Sequence, residues 1–433
     1  MSTKLFAVTG KPIIHSKSPL MFNNEFEKTG KDAAYFRLAA KSAEQAIFVF
    51  KEMGISGMNV TAPFKEDMLN LVDEVDETAK AIGGINTIVN RDGKLYGYNT
   101  DHYGVTQSFE NAGINLKGKT AVVIGAGGAG KAAAYGLIKK GAFVTIVNRT
   151  FQKAESAANA LGCKCESIEN IEAVIANSEI IISTLSQNVK VVKGKWLKPE
   201  HIVFDANYKG SLLIPKAKGF GCKIVNAEDW LLNQALLSYE LFLDKKPNKQ
   251  FMAEGLAKRG IEAKSHVIST IGLMGCGKTS HGKLLAKKLK YDFKDTDDAI
   301  VQKQGCSISE IFAEQGEAHF RKLESEELSQ SFDSETPNIL SCGGGIIKDE
   351  ANRELLTKNS IVVWLFASPK AIMDRADISK RPLLQVENPI EKLKELLTER
   401  KGLYAKTADI VFSTERKNRE ENTDQMMEEF DIL

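Results

Sequence analysis

Long apolar runs are missing from this sequence, and so is an excess of charge of one sign. Its 433 residues carry 58 basic and 56 acidic side chains, which leaves a formal net charge of +2. Nucleic-acid binding needs a basic stripe, and a membrane helix needs about 20 consecutive apolar residues. We therefore expect neither a nucleic-acid nor a membrane partner, while the oligomeric state is left open.

Cysteine is scarce as well. The six cysteines show no CxxC or metal-type spacing and stand at Cys163, Cys165, Cys222, Cys276, Cys306 and Cys342. This pattern favours reduced thiols in or near cores. The first ten residues hold one lysine and a short β-like stretch rather than the regions of a signal peptide. Together these features predict a cytoplasmic protein.

The order of apolar segments indicates the fold class. Short β-rich runs alternate with longer helical periods almost throughout, which predicts α/β architecture. The clearest predicted strands are 120–124, 143–147, 179–183, 201–205, 267–271, 339–342 and 360–366. Two polar stretches mark boundaries, one near 113–119 and one rich in lysine. The predicted organisation is an α/β substrate domain at 1–112, a Rossmann domain at 113–245, a linker at 246–265 and a P-loop domain with a parallel sheet at 266–433.

A glycine-rich loop follows the strand at 120–124 and precedes a predicted helix at 131–140. In this GxGxxG pattern Gly125 permits a tight turn, Gly127 lets the backbone approach a pyrophosphate, and Gly130 lets the helix pack on the strand. The helix N-terminus adds free N–H groups and a positive dipole end. The predicted phosphate-binding backbone comprises Gly125, Gly127, Gly128, Ala129 and Gly130.

The end of the next strand indicates which dinucleotide binds. An NAD enzyme places an acidic residue there for the ribose 2′-hydroxyl, but this chain has Asn148, Arg149 and Thr150. Arg149 can pair with a 2′-phosphate, and its two neighbours can add hydrogen bonds. The predicted cofactor is therefore NADP, with a solvated strand-end arginine as the alternative.

The first hundred residues carry polar clusters that a strand and helix pattern does not require, although turns and caps use the same residue types. The clusters are 10–19, 59–65, 84–87 and 99–101. In this order, ahead of a glycine-rich loop and an Asn-Arg-Thr strand end, they resemble shikimate dehydrogenase over about residues 1–245. The resemblance implies NADPH-dependent, reversible reduction of 3-dehydroshikimate to shikimate.

The resemblance also implies roles for individual residues. Ser16 and Ser18 would hold the substrate carboxylate, and Lys65 with Asp101 would form the catalytic acid/base pair. The substrate hydroxyls would be bound by Thr61, Asn86 and Asp101, with Gln234 reaching in from the second domain. The chain departs from the family pattern at 184–188 and 226–230, where the family places nicotinamide contacts.

A second phosphate-binding loop follows the strand at 267–271. Gly272-Leu-Met-Gly-Cys-Gly-Lys278-Thr279 is a complete P-loop pattern. Its backbone N–H groups would cradle phosphates, Lys278 would reach the β- and γ-phosphates, and Thr279 would bind Mg²⁺. The predicted ATP-binding residues of the loop are Gly275, Cys276, Gly277, Lys278, Thr279 and Ser280.

Charged residues further on could hold the phosphoryl acceptor. Asp295 and Asp297 are two apart at the end of a β-type run, so we expect both on one face of the sheet. Glu317, Arg321 and Glu324 share one face of a helix. A surface salt-bridge face would show the same spacing.

Together these features resemble shikimate kinase over 266–433, which implies ATP-dependent phosphorylation of shikimate to shikimate 3-phosphate. Asp297 would bind and deprotonate the acceptor hydroxyl, and Asp295 would be an indirect Mg²⁺ ligand. The remaining implied contacts are Arg321, Arg400, Gly344 and Gly345 for the acceptor, Arg381 for the transferring phosphoryl group and Arg375 for adenine.

The two resemblances name one ligand, because the product of the first reaction is the acceptor of the second. The chain is therefore predicted to serve chorismate and aromatic amino acid biosynthesis with two small-molecule substrates, 3-dehydroshikimate and shikimate. Two alternatives remain: quinate dehydrogenase joined to another small-molecule kinase, and a non-catalytic regulator that senses shikimate or quinate. Since no residue serves both sites, we expect the two activities to be independent, so that loss of one leaves the other nearly unchanged and shikimate is not passed directly between the sites.

Overall fold

The structure is a computed structural model that describes residues 3–185, 190–207, 210–261, 267–333, 336–375, 377, 381–415 and 418–431. Its contacts divide the chain into two compact units. The first comprises Met1–Met58 with Glu254–Leu433, and the second comprises Asn59–Ala253. Sequence patterns had placed the boundaries elsewhere, because composition cannot show that the first 58 residues pack with the last 180 or so.

The strands are β1 Lys4–Gly10, β2 Ala33–Ala39, β3 Gly57–Val60, β4 Glu74–Val75, β5 Thr87–Arg91, β6 Lys94–Tyr98, β7 Thr120–Ile124, β8 Phe143–Asn148, β9 Lys164–Ser167, β10 Ile180–Ser183, β11 Ile202–Asp205, β12 Lys223–Val225, β13 Ile268–Ile271, β14 Asp292–Asp295, β15 Asn338–Ser341, β16 Ile361–Phe366 and β17 Ile410–Ser413. The helices are α1 Ser18–Lys28, α2 Ala43–Met53, α3 Glu77–Ile82, α4 Asp101–Asn111, α5 Gly128–Lys139, α6 Phe151–Leu161, α7 Ile171–Ala176, α8 Ile214–Gly219, α9 Ala227–Leu243, α10 Lys249–Ala257, α11 Lys278–Leu289, α12 Thr296–Gln304, α13 Ile308–Gln330, α14 Glu350–Asn359, α15 Pro369–Met373, α16 Pro389–Thr407 and α17 Arg419–Phe430. Among the described residues, no helix is both long and apolar enough to cross a membrane.

In the first unit a parallel sheet runs in the order β14, β15, β13, β16, β17, β2, β1. Every residue of β2 and β16 is buried, as expected for strands covered on both faces. β17 pairs with β2, with Phe412 opposite Ala39 and Ile410 opposite Arg37. Strands from the two ends of the chain therefore share one hydrogen-bonded ladder.

The second unit contains a six-stranded parallel sheet in the order β12, β11, β10, β7, β8, β9. Alternate residues of β7 enter two different cores. Ala121 and Val123 belong to one apolar cluster, and Val122 and Ile124 to another. Because side chains alternate across a strand, both faces of this sheet are covered by helices, which confirms the α/β prediction.

The predicted strands are confirmed, whereas the helix predicted at 131–140 begins three residues earlier, at Gly128. The predicted strand at 120–124 is β7, and the runs at 143–147, 267–271 and 360–366 match β8, β13 and β16 to within one residue. The predicted linker contains a helix, α10, in which Leu256 is buried. A Cβ on its Gly255 would lie 2.3 Å from the Leu20 carbonyl oxygen of α1, so glycine permits close packing of the two helices.

The turn from β7 into α5 depends on glycine at two points. Gly125 has φ of +115°, a conformation that L side chains rarely adopt. A Cβ at Gly130 would lie 1.9 Å from the Gly125 carbonyl oxygen, so only glycine lets the helix sit this close to the turn. Nothing lies within 4 Å of a Cβ built on Gly127.

We expect Gly130→Ala to destabilise the second unit by about 1–3 kcal/mol, because the added methyl group must displace backbone. Gly127→Ala is the matched control. It adds the same atom where there is open space, and should change stability by no more than about 0.5 kcal/mol. Urea unfolding of the two variants measures the difference. Equal stabilities would show that the turn is looser than the structure indicates.

Candidate active sites

The glycine turn borders a cavity of about 930 Å³ in the second unit. Asn148, Arg149 and Thr150 line it together with Gly127. The Asn148 side chain accepts a hydrogen bond from the Ala126 backbone N–H at 3.3 Å, which ties the end of β8 to the turn. The structure thus brings together the two sequence patterns on which the NADP prediction was based.

Arg149 is exposed at the end of β8, and Lys153 also lines the cavity. One carboxylate, Glu66, borders the same space, but it pairs with Lys131 at 2.7 Å. Among the described residues that line this cavity, the strand end therefore offers positive charge, and the one carboxylate is already paired.

Lys65 and Asp101 form a partly buried ion pair, with 2.5 Å between Nζ and Oδ2 and side-chain exposures of 15% and 9%. Asp101 opens α4, and its carbonyl oxygen accepts a hydrogen bond from the Trp230 indole at 2.9 Å. A Cβ at Gly128 would lie 3.4 Å from the Lys65 side chain. The pair therefore sits beside the first residue of α5, where the dinucleotide loop ends.

A hydrogen-bond network of amides and hydroxyls surrounds Asn86. Its Nδ2 donates to Thr100 Oγ1 at 3.0 Å and to Gln234 Oε1 at 3.5 Å, and its Oδ1 accepts from the Thr100 N–H at 2.8 Å. Ser238 on α9 shares the network through Thr100, 3.1 Å between hydroxyl oxygens. These residues all belong to the second unit, as does Thr61, which lies in the turn after β3.

Ser16 and Ser18 lie in the first unit. The Ser18 N–H donates to Ser16 Oγ at 3.4 Å, the two hydroxyl oxygens are 3.4 Å apart, and Ser18 begins α1. The Ser16 carbonyl oxygen accepts from Arg37 Nη2 at 2.6 Å. The two serines are thus neighbours at a helix N-terminus, which suits an anionic ligand group.

The P-loop surrounds a cavity of about 480 Å³ in the first unit. Lys278 Nζ donates to the carbonyl oxygens of Gly272 and Leu273 at 3.0 and 3.1 Å, which holds the ammonium over the loop. Thr279 Oγ1 donates to Asp295 Oδ2 at 2.8 Å. The cavity lining includes Gly275, Gly277, Lys278, Thr279, Ser280, Asp295, Asp297, Gly344, Arg375 and Arg381, while Cys276 is buried in the loop itself.

The expected placement of Asp297 on a strand is wrong. β14 ends at Asp295, whose carboxylate caps α12 by accepting from the N–H groups of Asp297 and Asp298. Asp297 therefore lies in the first turn of a helix. The sequence pattern was misleading because Asp is common both at strand ends and at helix N-caps.

Burial, followed by the charge of Asp295, raises the pKa of Asp297 to about 6. Its Oδ1 is buried and has no hydrogen-bond partner within the described chain. Glu324 and Asp297 both lie next to Gly343. Burial raises the pKa of Glu324 to about 7. A buried carboxylate that lines a cavity and has a raised pKa, as Asp297 does, is typical of functional groups.

Arg321 lies between two carboxylates of α13, bonded to Glu324 at 2.6 Å and to Glu317 at 3.1 Å. Since Glu324 is buried, the surface salt-bridge alternative does not describe this face. A Cβ at Gly345 would lie 2.5 Å from the Arg321 guanidinium nitrogens. Arg400 is 5% exposed and donates to the Gly344 carbonyl oxygen at 3.2 Å. Both arginines thus meet the glycine-rich turn after β15.

Arg375 and Arg381 line the P-loop cavity, as does Arg419, which the sequence argument missed. Arg375 donates to the carbonyl oxygens of Gly275 and Thr414 at 3.0 and 2.6 Å. Ser238 was missed as well. Nothing local marks Arg419 or Ser238 as a site residue, because their neighbours come from distant parts of the chain.

The folds and sites define a Rossmann-type dinucleotide-binding unit and a P-loop phosphate-binding domain within one chain. Family models agree. Residues 8–88 match the shikimate dehydrogenase substrate binding domain, residues 106–205 match shikimate / quinate 5-dehydrogenase, and residues 274–431 match shikimate kinase.

Among curated proteins, the shikimate dehydrogenase (NADP(+)) of Aquifex aeolicus is 36% identical over 247 residues, covering 55% of this chain and 91% of that protein. A crystal structure of shikimate dehydrogenase from Aquifex aeolicus has a TM-score of 0.56 at 33% identity and covers 59% of this chain and 98% of its own. The Thermus thermophilus enzyme in complex with NADP(H) and shikimate has a TM-score of 0.54 at 29% identity, covering 58% and 98%.

This chain belongs to the shikimate dehydrogenase family, and its C-terminal part is a shikimate kinase domain. Of the two loops that depart from the dehydrogenase pattern, Ser186, Gln187 and Asn188 lie outside the described residues. In the other loop, Asn226 caps α9 and Trp230 holds the Asp101 carbonyl. Trp230, which lies in this departing loop, thus helps to hold the backbone of Asp101, the acidic partner of Lys65.

We expect kcat/KM of the kinase domain for its acceptor to fall about tenfold per pH unit below pH 6, because a protonated Asp297 cannot accept a proton. Since the pKa is raised above its ordinary value of 3.8, the competent carboxylate is lost at a higher pH than for an exposed aspartate. Initial rates from pH 5 to 8 measure the profile. Asp297→Asn should show a low rate without this limb, and an unchanged wild-type rate at pH 5 would contradict the assignment.

Proposed function

We propose that the chain catalyses two consecutive reactions, the reversible NADPH-dependent reduction of 3-dehydroshikimate to shikimate and the ATP-dependent phosphorylation of shikimate to shikimate 3-phosphate. One observation carries the proposal: the chain holds both a partly buried Lys65–Asp101 pair beside a dinucleotide loop and a complete P-loop at a cavity. We also propose that both reactions occur in the cytoplasm, which suits six cysteines that form no disulfide.

In the dehydrogenase, NADP would be held by the Gly125–Gly130 turn and by Asn148, Arg149 and Thr150. Bound NADPH supplies hydride to the ketone carbon, and the ketone oxygen must gain a proton as it becomes a hydroxyl. Lys65 donates this proton, and Asp101 holds the ammonium in place and takes part in binding the same oxygen. In the reverse direction Lys65 accepts the proton.

The dehydrogenase substrate carries a carboxylate and hydroxyls. We assign the carboxylate to Ser16 and Ser18, whose hydroxyls lie together at the N-terminus of α1. Thr61, Asn86 and Gln234 are assigned to the substrate hydroxyls. The hydrogen bonds of Asn86 and Gln234 with Thr100 support this assignment, because such amides and hydroxyls can both donate and accept.

In the kinase, Asp297 accepts the proton of the shikimate hydroxyl as it attacks the γ-phosphorus of ATP. Lys278 and Arg381 stabilise the negative charge on the transferring phosphoryl group. The adjacent oxygens of Thr279 and Asp295, 2.8 Å apart, are hard donors that fit Mg²⁺. When bound, the ion would neutralise phosphate charge. Arg375 would stack on the adenine ring of ATP.

The acceptor carboxylate is assigned to Arg321 and Arg400. Both meet the turn at Gly344 and Gly345, and both are held by neighbours rather than by bulk water. A planar guanidinium matches a carboxylate through two parallel N–H···O bonds. Asp297 and Glu324 both border Gly343, and Glu324 bonds Arg321, which supports a carboxylate site close to the proposed base.

Quinate is a second candidate substrate for the dehydrogenase, because the family model that matches residues 106–205 covers both shikimate and quinate dehydrogenases. Quinate has one more hydroxyl than shikimate. Steady-state rates with each compound at equal concentration decide between them. A higher kcat/KM for quinate than for shikimate would make quinate the main substrate of the dehydrogenase.

The main test uses reciprocal variants. Lys65→Ala should abolish shikimate oxidation with NADP⁺ while kinase kcat stays within about twofold, since no catalytic group is shared. Lys278→Ala should abolish ATP-dependent phosphorylation and spare the oxidation. Each variant is the control for the other, and both activities are measured on each protein. Turnover at the wild-type rate in either impaired site would overturn that half of the proposal.

Arg149→Ala tests the choice of cofactor. It should raise KM for NADP⁺ about 10–100-fold, because a charge-assisted contact to the 2′-phosphate is worth about 1.5–3 kcal/mol. The weak use of NAD⁺ should hardly change. Lys153→Ala, which removes another positive charge from the lining of the same cavity, shows how much of the rise in KM comes from the loss of any positive charge. A parallel loss with both cofactors would make Arg149 a structural residue and remove the basis for NADP preference.

A further inference from the structure

The serine loop, residues Ile13–Ser18, is held at one end by a side chain that comes from the shikimate kinase domain. Glu429 on α17 is 2% exposed, and its Oε2 accepts hydrogen bonds from the N–H groups of Ile13 and Ile14 at 2.7 and 2.8 Å. Both isoleucines are fully buried. One carboxylate oxygen therefore satisfies two buried backbone donors that water does not reach.

The other end of the serine loop is fixed by a second connection. Arg37 on β2 donates through Nη2 to the Ser16 carbonyl oxygen at 2.6 Å and through Nη1 to the Asp409 carbonyl oxygen at 3.1 Å. Asp409 immediately precedes β17, the strand that pairs with β2. Within the loop, the Ser16 N–H donates to the Ile13 carbonyl oxygen at 3.0 Å. The turn that presents both serines is therefore fastened at each end.

We propose that Glu429 is a positioning residue of the dehydrogenase, acting from the kinase domain to hold Ser16 and Ser18 where they bind the substrate carboxylate. The inference rests on the proposed role of the two serines. Glu429 contacts no substrate in this account. It fixes the backbone through the amides of Ile13 and Ile14, so its loss displaces hydroxyls that must meet the carboxylate within a few tenths of an ångström.

The contact is specific to Glu429 rather than to acidic side chains of α17 in general. Its neighbour Glu428 is about half exposed and forms a surface ion pair with Lys11 at 2.9 Å. Such exposed pairs contribute little. By contrast, removing an acceptor from two buried N–H groups leaves both unsatisfied, unless the loop moves to expose them to water. Loop movement is the expected outcome.

The test compares three variants of the full-length chain. Glu429→Met keeps the length of the side chain and removes both acceptors, Glu429→Gln keeps one oxygen that can accept from both amides, and Glu428→Met is the exposed control. For each, KM for shikimate, KM for NADP⁺, kcat of oxidation and kcat of phosphorylation are measured. Hydrogen exchange at the Ile13 and Ile14 amides is followed as well.

We expect Glu429→Met to raise KM for shikimate about tenfold and to speed exchange at the two amides, while KM for NADP⁺ and the kinase kcat stay within about twofold. Glu429→Gln should recover most of the affinity, and Glu428→Met should resemble the wild type. An unchanged shikimate KM in Glu429→Met would overturn the inference alone. So would a parallel fall of both activities, which would mark a purely structural role. A wild-type enzyme that does not oxidise shikimate would instead overturn the proposed function, and this inference with it.

Discussion

The parallel pairing of β2 with β17 is the constraint on which the first unit depends. β2 comes from the beginning of the chain and β17 from its end, yet Arg37, Leu38 and Ala39 stand opposite Ile410, Val411 and Phe412. An unpaired strand at either position would leave a row of backbone donors and acceptors exposed. The pairing removes both edges at once. It also makes the kinase sheet and the first dehydrogenase strands parts of the same core.

Other contacts extend this junction on both sides. On one side, Lys406 pairs with Asp32 at 2.7 Å and Lys401 donates to the Met53 carbonyl oxygen at 3.2 Å. On the other, α17 places Glu429 under the serine loop. The N-terminal residue of the same helix, Arg419, lines the P-loop cavity. A helix of this length spans roughly 18 Å at about 1.5 Å per residue, so one rigid element borders both functional regions of the unit.

Much of the fold could be predicted from the sequence, because the decisive signals are local. The P-loop and the glycine-rich turn each lie between a strand and a helix, and the geometry they require is set by a few consecutive residues such as Gly125 and Gly130. Arg149 follows its strand directly. The pairing of Lys65 with Asp101 and the network around Asn86 agree with roles that the family resemblance implied.

Other features could not be predicted, for two physical reasons. Asp297 was placed on a strand because an Asp-x-Asp pattern fits both a strand end and a capped helix, and only the capping bonds of Asp295 decide between them. Glu429, Trp230 and Arg419 owe their roles to partners far away in the sequence. Ile13 and Glu429, for example, are 416 residues apart. Separation of that kind leaves no local periodicity or motif to read.

The central claim is that the two ends of the chain form one sheet. Hydrogen exchange of the full-length protein, resolved to the amides of β2 and β17, tests it most directly. The structure predicts that the amides of both strands exchange slowly and that they lose protection together as denaturant is added, because the two strands are hydrogen-bonded to each other. Rapid exchange in β2 while β17 remains protected would contradict the account, because it would show that the two strands do not share a ladder.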